Sequence, residues 1–240
     1  LNCIITDNTS DHGLGGGAHL ANGSLLESCS VVSNANRYGG GLYAQESLVD
    51  RCEVTDNEAA QSAGGLYLVT ATASCVRVTG NTAGQNAGGL YVDDGTARSC
   101  VVAGNTAAAN GGGVYMAASG ELCNLTVTGN GADTAGSGIY TEGGGVVRNC
   151  IAYFNTGLAA QDLRKGAGTV VEHTCSLPAS SGTGNFSSDP RLCAAGDGSL
   201  RCDSPCMDNG SNQPWMTGAL DIAGESRIWV QRDAHSGAVV

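Results

Sequence analysis

The sequence predicts an all-β chain, a right-handed parallel β-helix of about 24 residues per rung, and three observations predict it. A Gly-Gly-aliphatic-Tyr unit recurs at Gly40-Gly41-Leu42-Tyr43, Gly64-Gly65-Leu66-Tyr67, Gly88-Gly89-Leu90-Tyr91 and Gly112-Gly113-Val114-Tyr115, then as Ser137-Gly138-Ile139-Tyr140. A degenerate copy, Gly16-Gly17-Ala18-His19, precedes them. The tyrosines fall 24, 24, 24 and 25 residues apart. A second landmark places an aliphatic residue three before an Asn, usually with Cys two residues earlier still: Cys3, Ile5, Asn8; Cys29, Val31, Asn34; Cys52, Val54, Asn57; Cys100, Val102, Asn105; Cys150, Ala152, Asn155. The third observation is composition: 38 Gly among 240 residues, 5% aromatics and 14% charged residues, against a usual charged share of roughly 25%.

Self-similarity at a fixed period is the signature of a repeat architecture, in which each unit buries its apolar face against its neighbours. Within a repeat, short alternating runs are punctuated by Gly, Asn and Asp, which predicts strands of a few residues joined by tight turns. Stacked at about 4.8 Å per rung, such strands form parallel sheets running the length of a solenoid. The leucine-rich framework that shares this period is absent, and propeller blades need roughly 40 residues.

Alternation sorts the side chains. In Cys52-Glu53-Val54-Thr55 the first and third residues face inward, and in Leu66-Tyr67-Leu68 the two leucines do, leaving Tyr67 outside. Stacking rungs then makes columns: inward Cys, inward Val/Leu, a turn Asn and an outward Tyr. Asn suits a turn because it tolerates the left-handed region, and stacked amides can bond along the axis. Two rungs depart. Counting back from Asn81, Val76 takes the Cys position and Cys75 is out of phase, whereas Cys123 keeps inward parity one strand step early.

These repeats resemble bacterial surface β-helix proteins, including the polymorphic outer-membrane proteins of chlamydiae with their Gly-Gly-Ala-Ile and Phe-x-x-Asn motifs. The counterparts here are Gly64-Gly65-Leu66-Tyr67 and Val54-x-x-Asn57. The resemblance covers residues 1–176, the predicted repeat domain of roughly seven rungs, and implies an extracellular or outer cell-surface location. Residues 177–240 form a second, loop-rich region. Its Asp189-Pro190-Arg191-Leu192, Ser204-Pro205-Cys206-Met207-Asp208-Asn209-Gly210 and Asp221-Ile222-Ala223-Gly224-Glu225-Ser226-Arg227-Ile228 resemble the terminal segments of secreted bacterial β-helix proteins. That region is expected to cap the open end of the solenoid, whose strand edges otherwise invite aggregation.

Charge narrows the partners. A net charge of −11, with Lys165 the sole lysine, repels nucleic-acid backbones. No apolar run is long enough to span a membrane as a helix. The chain opens inside a repeat, at Leu1-Asn2-Cys3, so it is expected to be part of a longer protein. Asn-x-Ser/Thr triplets begin at Asn8, Asn22, Asn124, Asn185 and Asn209, close to chance in an Asn- and Thr-rich chain.

Eleven cysteines divide into two groups. Those at one per rung point the same way in an in-register column, with Cβ atoms near the strand spacing and farther apart than a disulfide prefers, so they are expected to be buried free thiols. Cys193, Cys202 and Cys206 are off the period, and a disulfide between Cys193 and Cys206 is the favoured pairing. A metal site is not expected, since paired Cys-x-x-Cys knuckles are absent.

Polysaccharide lyases and glycoside hydrolases of the β-helix type are the catalytic alternative. Elimination needs a Ca²⁺ site and a basic residue on one face, and hydrolysis needs several Asp on neighbouring rungs. Asp93-Asp94 is the one adjacent Asp pair, His12 and His173 stand alone, and Arg164-Lys165 occupies a single rung. No cofactor is predicted; Ca²⁺ enters only with the lyase alternative. The expected ligand surface is the Tyr column, Tyr43, Tyr67, Tyr91, Tyr115 and Tyr140, read as a flat outward strip on the order of 25 Å long on which sugar rings could stack. The expected function is therefore adhesion or display at a cell surface with affinity for a polysaccharide or host glycan, the remaining alternative being a structural spacer.

Overall fold

The computed structural model describes residues 2–158, 161–193, 198–207, 209–212 and 216. All elements in it are strands of two to five residues, and they stack in parallel register into four sheets that run the length of a solenoid. One complete rung reads Glu53–Thr55, Glu58–Ser62, Leu66–Val69 and Thr72–Ser74, after which Arg77–Thr79 begins the next. The first of these belongs to an eight-stranded sheet, here the Cys sheet; the second to a six-stranded sheet; the third to a seven-stranded Tyr sheet; and the fourth to another seven-stranded sheet. The predicted period sets the register, with Leu66, Tyr67 and Leu68 lying between Leu42, Tyr43 and Ala44 on one side and Leu90, Tyr91 and Val92 on the other.

Corners are built from single residues. The one joining the fourth sheet to the Cys sheet is a left-handed residue in every rung: Ser28, Arg51, Cys75, Ser99, Asn124, Asn149 and His173, with φ between 48° and 58°. One such residue reverses the local twist enough to turn an extended chain at modest cost. The next corner uses Ser33, Asp56, Gly80, Gly104, Gly129 and Phe154 in the same conformation. The repeated Asn follows this residue. The expectation that the Asn itself occupies the left-handed region is thus corrected, because the turn is made one position earlier and frees the Asn side chain to point inward.

The core is a column of aliphatic side chains from all sheets, including Val31, Val54, Leu66, Leu68, Leu90, Leu122, Val127 and Ile139, all essentially without exposure. Val76 replaces Cys as expected, and Cys75 sits in the turn. Cys123 does not keep inward parity. It pairs with Arg98 and Arg148 on the outer side of its strand, Leu122 points in, and Leu125 fills the Cys column.

The Asn column is a continuous internal ladder. Asn57, Asn81, Asn105 and Asn130 are buried, and each accepts on Oδ1 from both the backbone N–H and the amide of the Asn one rung before, at 2.9–3.0 Å. Each Nδ2 also donates to a carbonyl of a preceding rung, such as Asn81 to Val54. Every polar atom of these amides is thereby satisfied, and the aligned chain polarises cooperatively.

The ladder explains the second glycine of the Gly-Gly-aliphatic-Tyr unit. A Cβ on Gly89 would stand 2.9 Å from Asn105 Nδ2 and 2.7 Å from the Gly113 carbonyl, and Gly65 meets Asn81 in the same way. At the last rung the place corresponding to Gly138 holds Asp162, one residue before Leu163, the partner of Ile139. Its Oδ1 receives the Asn155 backbone N–H at 2.7 Å and the Asn155 amide at 2.8 Å, so a buried carboxylate terminates the ladder. Burial raises its pKa, opposed by the N–H donors of Asn155 and Leu177.

The C-terminal segment does two things. Phe186 pairs with Cys175, and the Asn185 side chain bridges the Thr174 N–H and the Val171 carbonyl, which extends the last rung. Thereafter the chain runs back over the outside of the Cys sheet. Tyr153 donates to the Ser187 carbonyl, Gly198 lies against Val101, and Asn149 makes a two-way bond with Ser211. Val101, Ala103, Thr128 and Tyr153, all on that sheet, are accordingly buried, whereas Glu53 in an earlier rung is exposed. The segment Asp221–Ile228 lies outside the described residues.

Candidate functional site

The Tyr column forms as an axial stack. His19, Tyr43, Tyr67, Tyr91, Tyr115 and Tyr140 occupy equivalent outward positions of the Tyr sheet, and Arg164 follows Tyr140 in register. Successive Tyr centroids are 4.3–5.1 Å apart with interplanar angles of 12–32°, while His19 meets Tyr43 edge-on at 89°. This is the geometry that in-register strands impose, since each Cβ lies one strand spacing from the next.

That orientation changes what the column can offer. Ring faces lie against neighbouring rings, so their edges and hydroxyls, rather than a flat aromatic sheet, face outward. Tyr43, Tyr67, Tyr91 and Tyr140 are half-buried, and Tyr115 is only 7% exposed. Expectation and structure agree on the column's membership and differ on its face, because strand parity fixes which side a residue occupies but leaves χ2 to packing. A sugar ring stacking on tyrosine faces would need rings turned outward.

The second outward position of the same strands carries Gln45, Val69, Asp93 and, one rung on from Ala117, Glu142. Tyr115 donates its hydroxyl to Glu142 Oε2 at 3.0 Å. Burial in the stack drives the Tyr67 phenol well above its usual range, reinforced by Tyr91. Tyr115 is raised likewise, by burial first and then by its hydrogen bond to Glu142. The hydroxyl edge is therefore a row of neutral phenols beside carboxylates, able to donate and accept hydrogen bonds and unfavourable to a polyanion. Across the preceding corner Asn86 and Asn110 are hydrogen-bonded to each other, continuing an amide-bearing margin.

The residues weighed for catalysis stay apart. Asp93 lies on the Tyr sheet, whereas Asp94 occupies a left-handed turn and accepts the Ser119 N–H at 3.0 Å, the work of a turn residue. His12 is exposed near the first rung, and His173 sits in a corner of the last. Lys165 reaches Ser181, away from Arg164 on the Tyr column. Among the described residues no group of three or more His, Cys, Asp or Glu could hold a metal ion. A cavity near the first rungs is lined by Ser10, Asp11, Arg37, Glu58 and Gln61, on the six-stranded side rather than beside the tyrosines.

Among the described residues no two cysteines are joined by a disulfide. Cys29, Cys52, Cys100 and Cys150 form the buried column, and the Cys150 thiol, fully enclosed, is pushed up to about 12. Cys193 and Cys202 are exposed, and Cys206 is half-buried. Sequence reasoning placed Cys175 among the rung thiols. Thr174 carries that column instead, its Oγ1 accepting from the Cys150 N–H.

No curated protein and no solved structure matches this chain. The family described as right-handed beta helix region matches residues 2–157, which contain the Asn ladder and the Tyr stack up to their last rung. On that match, together with four parallel sheets wound at 24 residues per turn, the chain belongs to the right-handed beta helix family.

Proposed function

We propose that this chain is a rigid β-helix module of an extracellular or cell-surface protein, serving adhesion or display by holding neighbouring segments away from their anchor. The observation that carries the reading is the continuity of two independent columns, the buried Asn ladder and the Tyr stack, through successive rungs. Each rung is tied to the next in the interior and on the surface, so bending requires breaking both. An antibody raised against the purified chain is expected to label intact, unpermeabilised cells of the source organism or its culture medium. Signal confined to cell interiors would remove the proposal.

A second reading, glycan affinity, is favoured by the hydroxyl edge of the Tyr stack beside Gln45, Asp93 and Glu142. It calls for a neutral or amino-bearing polysaccharide, because the carboxylates repel polyanions. Two triple variants at Tyr67, Tyr91 and Tyr115 separate the contributions on a panel of immobilised polysaccharides. Substitution with Phe keeps the stack and deletes the hydroxyls; substitution with Ala deletes both. Binding lost in the Phe variant would support the edge as the site, whereas binding unchanged in both would dismiss it.

A further inference from the structure

Within the Tyr stack one pair stands closer than the rest. The Tyr67 and Tyr91 ring centroids are 4.3 Å apart with the planes inclined by 21°, whereas the pairs on either side, Tyr43 with Tyr67 and Tyr91 with Tyr115, are each 5.0 Å apart. The two strands are parallel and in register, Leu66 beside Leu90 and Leu68 beside Val92. Both side chains therefore leave the backbone in the same direction, which sets corresponding carbons of the two rings side by side and both hydroxyls at one edge. Ring faces are covered by their neighbours along the column, while the half-buried edges stay open to a small oxidant. Tyr115 differs on both counts, being 7% exposed with its hydroxyl bonded to Glu142 at 3.0 Å.

We propose that Tyr67 and Tyr91 are an oxidative cross-linking site, at which a one-electron oxidant joins their phenol rings through a carbon–carbon bond and staples one rung to the next. Burial keeps both phenols neutral, so each electron leaves together with the hydroxyl proton. Two equivalents of the oxidant each take one electron, water takes the two protons, and two phenoxyl radicals remain. Their unpaired spin lies partly on the carbons ortho to oxygen. A bond forms between one ortho carbon of each ring; the hydrogens on those carbons then leave as protons while both oxygens regain one, restoring two phenols. The net loss is two electrons and two protons. Neighbouring strands hold the radicals together, so the coupling is intramolecular and outpaces encounter with another chain. The bond closes a loop between residues 67 and 91, which restricts the unfolded chain as other cross-links do. This chemistry is independent of any glycan on the hydroxyl edge.

The probe is photogenerated tris(bipyridine)ruthenium(III), with persulfate as the terminal electron acceptor. The full chain, its accessible thiols first alkylated, is oxidised at high dilution. The monomer fraction is separated under denaturing conditions and digested by a protease cutting after Lys and Arg. Tyr67 is then the sole tyrosine of peptide 52–77 and Tyr91 that of 78–98, while Tyr43 lies in 38–51 and Tyr115 and Tyr140 in 99–148. The expected main cross-link joins 52–77 to 78–98, two hydrogens lighter than their sum and carrying dityrosine fluorescence. It should disappear in Tyr67→Phe and in Tyr91→Phe, which keep the stack, and persist in Tyr43→Phe and Tyr115→Phe. Monomer that lacks this link once the oxidant is spent would overturn the proposal, as would a main cross-link between any other peptides.

Discussion

The Asn ladder and the Tyr stack arise from the same repeat, run parallel to the same axis and contain one residue of one type per rung, yet they differ in what supports them. Asn57, Asn81, Asn105 and Asn130 are buried, and every donor and acceptor on their amides is used within the protein. The tyrosines are mostly half-buried, gain from ring-to-ring contact and leave their edges to water. Losing a link in the first strands buried polar groups, because water cannot replace the missing partner. Losing a link in the second removes an attraction and admits solvent. Identical periodicity therefore implies unequal energetic weight.

The largest expected effect breaks the ladder at its middle. Asn105→Ala removes the acceptor for both the backbone N–H and the amide of Asn81, and removes the donor for Asn130 Oδ1 and the Val78 carbonyl. Unsatisfied buried groups cost about 1–3 kcal/mol each, so a total loss of roughly 3–5 kcal/mol is expected in urea unfolding. A loss under about 1 kcal/mol would mean that water enters the site and that the ladder is not dry. Gly89→Ala attacks the same ladder sterically, driving a methyl against Asn105 Nδ2 and the Gly113 carbonyl. Overpacking of this kind costs about 1–3 kcal/mol. Combined with Asn105→Ala its penalty should shrink, because the amide it clashes with is gone; full additivity would show that the backbone carbonyl sets the cost.

How much of this was legible in the sequence follows from the same contrast. Column membership was legible, because a period of 24 puts Tyr67 over Tyr43 whatever the side chains do. The amide ladder was legible in outline, since stacked Asn residues have only each other to bond. Its terminus was not: Asp162 stands at a Gly position, and nothing in the spacing of Asn residues points to it. Ring orientation was hidden too, for parity assigns a side and not a χ2 angle. Cys123 was misplaced because parity was counted from the Cys column, whereas Leu125 keeps that column and Cys123 belongs to the preceding strand. The returning segment has no period of its own, so its course over Val101 and Tyr153 had no sequence signal.

The Tyr stack should yield less on truncation. Tyr91→Ala removes two ring pairs, with Tyr67 and Tyr115, each worth about 0.5–1.5 kcal/mol beyond area, so a loss of roughly 2 kcal/mol is expected. A penalty equal to that of Asn105→Ala would erase the distinction between the columns.

Alkaline pH tests the stack without altering any side chain. Tyr67 and Tyr115 have folded pKa values raised by burial, whereas the unfolded chain titrates near about 10. A group with a raised folded pKa contributes stability that is present below its unfolded pKa and is lost as pH rises towards the folded one. The urea midpoint should therefore fall above about pH 10. The fall should be smaller in Tyr115→Phe, and equal falls in both proteins would show that the Tyr115 phenol contributes nothing to the alkaline loss.

The smallest expected effect is the sharpest probe of the edge. Tyr91→Phe keeps both ring contacts and deletes only the hydroxyl at the outer edge of the stack. Because that group is half-buried and water can take its place, the change in stability should stay near about 0.5 kcal/mol. A larger loss would show that the hydroxyls form a bonded chain of their own, making the surface column a second polar ladder and its edge less available to any ligand. A negligible loss would leave the hydroxyl row free to bond elsewhere, the condition a glycan along that edge requires.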